Sequence, residues 1–73
     1  LSVRNHSTAE VVKILTKHFG FYVERQRKHI LLKHPNGRRI TVPNHPGTSI
    51  KLGTMRSIIL QAGITEEEFI KYL

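Results

Sequence analysis

Gly20 separates two kinds of hydrophobic spacing, and this break constrains the fold more than any other feature of the chain. Before it, Val11, Ile14, Leu15, His18 and Phe19 recur at intervals of three and four, with Val12 beside them, as one face of a helix requires. Ser7-Thr8-Ala9-Glu10 reads as a capping box, in which Ser7 accepts from the backbone near Glu10 and the Glu10 side chain reaches back. Gly20 supplies the left-handed residue that ends the helix. From Phe21 the period becomes two. Phe21 to Arg25 is predicted as a first strand with Phe21 and Val23 inward. His29 to His34 is predicted as a second, with Ile30 and Leu32 inward and His29, Leu31 and Lys33 on the open face. Pro35-Asn36-Gly37 forms a turn, since Pro fixes φ and Asn-Gly tolerates positive φ, and it leads into a third antiparallel strand from Arg38 to Val42. Ile40 and Val42 complete the inner face.

Pro43 to Ser49 is a loop stiffened by two prolines. Gly53-Thr54 then opens a second helix, with Met55, Ile58, Ile59 and Ala62 as its apolar stripe and Gly63 as its stop. Thr65-Glu66-Glu67-Glu68 is a second capping box, its carboxylates placed where the helix dipole favours them. Phe69, Ile70, Tyr72 and Leu73 give that short helix apolar groups with which to dock. The order α-β-β-β-α(-α) predicts an α+β fold: a three-stranded antiparallel sheet with the helices on one face and the other face open. At 73 residues, a single domain over 1–73 is expected. A chain that opens on Leu1 rather than Met is expected to have lost or exchanged residues upstream, and Leu1 to His6 are expected to be disordered.

Charge narrows the possible partners. The formal charge is +7, and from Arg25 to Thr65 there is no Asp or Glu. That stretch carries Arg25, Arg27, Lys28, Lys33, Arg38, Arg39, Lys51 and Arg56, a pattern that attracts nucleic acid, an anionic membrane or an acidic partner. The apolar runs Ile30-Leu31-Leu32 and Ile58-Ile59-Leu60 are far shorter than the roughly 20 residues of a membrane span, so no span is expected; RNA is the first choice among these partners, and no membrane partner is expected. The chain has no cysteine, which removes disulfides, thiolate zinc sites and thiol redox chemistry. No histidine pair has the spacing of a helical metal site, so neither metal nor cofactor is expected.

His29 stands near the centre of this basic stretch. An imidazole beside fixed cations can act as a general base on a bound polyphosphate, and RNA is the natural candidate. The alternative is a polar residue on a solvated sheet face. Among the other histidines, His34 precedes a turn proline and reads as structural, and His18 lies at the edge of the apolar stripe. His45 can touch phosphate or position a ribose, or it is an ordinary loop residue. Arg25, Arg27, Lys28, Arg38 and Arg39 are expected at the hairpin ends. Lys51 and Arg56 lie near the start of the second helix, whose N-terminus itself favours anions. Tyr22 and Leu31 on the open face suit either base stacking or a protein partner.

The element order resembles the double-stranded RNA-binding fold, and the residues resemble a narrower group, the HicA toxins of bacterial and archaeal toxin–antitoxin pairs. The resemblance covers Glu10 to Phe69. It rests on Gly20-Phe21, His29, His34-Pro35-Asn36-Gly37-Arg38-Arg39, Val42-Pro43-Asn44-His45, Leu52-Gly53-Thr54-Met55-Arg56-Ser57-Ile58 and Gln61-Ala62-Gly63-Ile64-Thr65-Glu66-Glu67-Glu68-Phe69. It implies a metal-independent, cytoplasmic endoribonuclease, an mRNA interferase acting on single-stranded RNA, restrained by a cognate HicB-like antitoxin. His29 would be the catalytic base, and Arg25, Arg27, Lys28, Lys33, Arg38, Arg39, His45, Lys51 and Arg56 would bind RNA phosphates. In that family a Gly-Ser or Gly-Gly pair precedes the histidine; here Arg27-Lys28 stands in its place. A non-catalytic RNA-binding module of the same fold is the alternative function, and a small DNA-binding or protein-interaction domain is a third.

Overall fold

The computed structural model describes residues 1–73. Helix α1 spans Thr8–His18, strands β1, β2 and β3 span Tyr22–Gln26, His29–Lys33 and Arg39–Pro43, and helices α2 and α3 span Leu52–Ala62 and Glu66–Ile70. The strands form one antiparallel sheet in the order β1-β2-β3. Both long helices lie on the face that carries Ile30, Leu32, Ile40 and Val42, all buried. The α+β architecture with one open sheet face is as the periodicities predict.

Local chemistry sets the helix ends. Ser7 Oγ accepts from Glu10 N–H at 3.1 Å, but the Glu10 carboxylate turns to His6 Nδ1 at 2.9 Å instead of reaching back to Ser7. The first capping box is therefore half formed, because the imidazole competes for the carboxylate. The second is complete: Thr65 and Glu68 satisfy each other's backbone N–H groups at 3.0 and 2.8 Å. Helix α2 opens one residue earlier than Gly53, with Lys51 at its N-cap and no side-chain cap bond. Gly20 and Gly63 follow the two long helices at φ 78° and 72°, as expected of left-handed stops.

The core joins Val11, Ile14 and Leu15 of α1 to the inner sheet face, to Met55, Ile58 and Ile59 of α2 and to Phe69 of α3. Burying each such side chain contributes about 1.5–3 kcal/mol. Val3 is also in this core at 3% exposure, and His6 C=O accepts from Ile50 N–H at 2.9 Å. The lead segment expected to be disordered thus docks through a single valine and a backbone bond to the loop before α2.

Two expectations about β1 fail. The strand runs from Tyr22 to Gln26, so Phe21, although buried, precedes it. Val23 shares the inner face with its partner Leu32 but stays 41% exposed. The reason is coverage: the helices pack chiefly over β3, so Val23 on the strand at the opposite edge is less covered. The third strand is likewise displaced by one residue and ends on Pro43.

Candidate functional site

Strand register decides what the open face displays. In antiparallel pairs, residues directly opposite share a face. The pairs His29–Pro43, Leu31–Thr41 and Lys33–Arg39 of β2 and β3, with Tyr22 opposite Lys33 and Arg25 opposite Leu31, therefore lie together on the outer side. A β-bulge between Val23 and Arg25 inserts Glu24, so that Glu24 and Arg25 together oppose Leu31. Tyr22 is half exposed.

His29 begins β2 immediately after the Arg27-Lys28 turn, and all three side chains are exposed. The turn needs no left-handed residue, since Asn5 is the only non-glycine with positive φ. It closes through Arg27 N–H to His29 C=O at 3.1 Å. From the β3 side, Asn44 donates its backbone N–H to Lys28 C=O and its Nδ2 to Arg27 C=O, each at 3.0 Å. Nothing in the local sequence marks Asn44 as a support, because its contact to Arg27 spans 17 residues. The Val42-Pro43-Asn44-His45 element carried no sign of what it would hold.

The cations divide between the two ends of β2. Arg27 and Lys28 stand at the His29 end, and Arg38 and Arg39 lie at the other, four strand residues or about 13 Å away. Arg25 lies between them on the outer face. His45 and Lys51 border a cleft of about 380 Å³ that reaches Pro43, the partner of His29, so they belong to the His29 end. The backbone N–H groups of the first turn of α2 are not capped by a side chain there, and Met55 is the first to bond back, to Lys51 C=O at 2.9 Å.

Three of the expected phosphate ligands have partners within the chain. Lys33 Nζ pairs with Glu24 Oε2 at 2.6 Å, and Arg56 Nε pairs with Glu66 Oε2 at 3.2 Å. Arg38 donates to Gln61 C=O at 3.3 Å at the end of α2. Arg25, Arg27, Lys28, Arg39 and Lys51 are exposed without an acidic partner.

The histidines also separate by environment. His6 is held at Nδ1 by Glu10 and at Nε2 by Ser2 C=O. His34 Nδ1 accepts from Asn36 N–H at 3.0 Å, and its ring packs edge-on to Phe21 and beneath Gly20, where a Cβ would meet Nε2 at 2.8 Å. His18 is exposed and stacks on Tyr72 at 3.9 Å between ring centres. His29 and His45 remain as exposed rings outside these contacts. No group of three His, Cys, Asp or Glu side chains is placed to hold a metal ion. No helix is long and apolar enough to cross a membrane.

The resulting arrangement is one imidazole at a strand start, flanked by two exposed cations in a turn with braced carbonyls. A family model described as the HicA toxin of bacterial toxin–antitoxin matches residues 8–64. No curated protein matches the chain.

Proposed function

This chain belongs to the HicA toxin family of bacterial toxin–antitoxin pairs, and from that premise we propose that it is a metal-independent endoribonuclease that cuts mRNA in the cytoplasm, with His29 as its general base and a HicB-like protein as its antitoxin. The observation that carries the reading is the exposed His29 ring directly beside Arg27 and Lys28 on an otherwise open sheet face.

Each residue then has a role its chemistry suits. His29 takes the proton of a ribose 2′-hydroxyl, the 2′-oxygen forms a bond to the adjacent phosphorus, and the bond to the 5′-oxygen breaks. The products are a 2′,3′-cyclic phosphate and a 5′-hydroxyl, the leaving oxygen receiving a proton from imidazolium or water. General-base help of this kind contributes about 10²–10⁴ in rate. Arg27 and Lys28 oppose the charge that grows on the phosphoryl oxygens. Lys51 and the free first turn of α2 hold the next stretch of backbone. Tyr22 and Leu31 offer base-stacking or apolar contact on the same face.

Arg27-Lys28 in place of a glycine pair favours a second reading, RNA binding without cleavage. One experiment separates the two: long single-stranded RNA incubated in chelator with wild type and with His29→Ala. Cleavage by wild type, and a loss of about 10²–10⁴-fold in the variant with an unchanged circular dichroism spectrum, supports the nuclease. Binding by both proteins without cleavage by either supports the module. Equal cleavage by both removes His29 from the mechanism.

A further inference from the structure

Resting on that reading of His29, we propose that Asn44 is the positioning residue of the site: it holds the Arg27-Lys28 turn so that the Lys28 backbone N–H faces outward as a donor to the phosphate on which His29 acts. Two turn carbonyls point at Asn44. Arg27 C=O accepts from Asn44 Nδ2 and Lys28 C=O accepts from Asn44 N–H, both at 3.0 Å. The side-chain amide can present only its nitrogen to Arg27, since its oxygen would face another oxygen.

Every peptide bond in the chain is trans. In a trans peptide the N–H points opposite to the C=O of the same unit. The Lys28 N–H shares its peptide unit with the Arg27 carbonyl, so it is directed away from Asn44. No backbone acceptor within the chain takes it. An exposed turn has thereby turned two acceptors, which would repel phosphate, inward to one residue, and has left a donor beside two cationic side chains. Glycine commonly serves where backbone must approach a phosphate. Here a side chain 17 residues away supplies the constraint, with no positive φ in the turn.

The backbone bond from Asn44 N–H to Lys28 C=O survives any change of side chain, so what the Asn44 amide adds is its hold on the Arg27 carbonyl, two residues before the imidazole. Loss of such a support misplaces the base without removing any charge. Misplacement of about 1 Å can cost about 10²-fold in rate.

The test combines kinetics and NMR on the full chain. Asn44→Ala should lower kcat for RNA cleavage about 10–100-fold, while KM changes less than about threefold because the cations remain. In wild-type protein, a fully 2′-O-methylated RNA should move the Lys28 amide proton downfield on binding, and in Asn44→Ala that shift should be lost. A kcat within about twofold of wild type, or a Lys28 amide unmoved in wild type by saturating RNA, overturns the proposal. Should Asn44→Ala fail to fold, the wild-type amide shift decides alone. If His29→Ala cleaves as well as wild type, the general-base reading fails, and the Lys28 shift still decides whether the turn binds phosphate.

Discussion

Lys33 Nζ lies 2.6 Å from Glu24 Oε2 across the first two strands, and Glu24 is the only acid in the sheet. The bulge that inserts Glu24 brings it to the outer face, where it occupies a cation otherwise available to phosphate. Its carboxyl is held below the usual value of 4.5, first by the Lys33 hydrogen bond and then, against an opposing effect of desolvation, by the charges of Lys33, Arg39 and Arg25.

A carboxyl with a depressed folded value stabilises the fold above its unfolded value, and that contribution is lost as pH falls through the folded value. Melting curves recorded below about pH 4.5 should therefore show an acid limb that weakens in Glu24→Gln. The same variant frees Lys33, so the log–log salt dependence of RNA binding should steepen by about 0.7. An unchanged slope would mean that Lys33 does not reach the RNA.

Arg27 and Lys28 should each account for about 0.7 of that slope, and replacing both by Ala should flatten it by about 1.4. Arg39→Ala should flatten it by about 0.7. Arg38→Ala should leave it unchanged, because that guanidinium is held at the end of α2 through Gln61 C=O. Filter binding across a salt series measures all three.

Gly63→Ala should destabilise the fold by about 1–2 kcal/mol, the cost of a Cβ in the left-handed conformation at φ 72°. A Cβ there would also meet Arg38 Nε at 2.6 Å, so the arginine must leave its place. For a domain of this size the melting temperature should fall by about 4–16 °C. A melt within error of wild type would show that Arg38 and Gly63 carry no such constraint.

Antitoxin and RNA should compete for the face of Tyr22, Leu31 and His29. A partner with acidic groups toward Arg25 and Arg27 and apolar ones toward Leu31 gains a faster encounter from charge and slower release from burial. Titrating antitoxin into a labelled RNA complex should displace the RNA stoichiometrically. A ternary complex with the antitoxin on the helical side would contradict this.

The element order and the inward set Ile30, Leu32, Ile40 and Val42 were legible in the sequence, and so were the stops at Gly20 and Gly63 and the Thr65–Glu68 capping box. These depend on period, turn chemistry and side chains a few residues apart, so the chain carries them locally. Tertiary docking decided the rest. It placed α1 and α2 over β3, leaving Val23 exposed, and drew Val3 into the core. It also paired Lys33, Arg38 and Arg56 with groups within the chain, leaving Arg27 and Lys28 exposed beside His29. A basic run shows only that charge is present. Which charges remain free, and which amide braces the turn before His29, depends on acceptors brought close by packing from as far as 23 residues away.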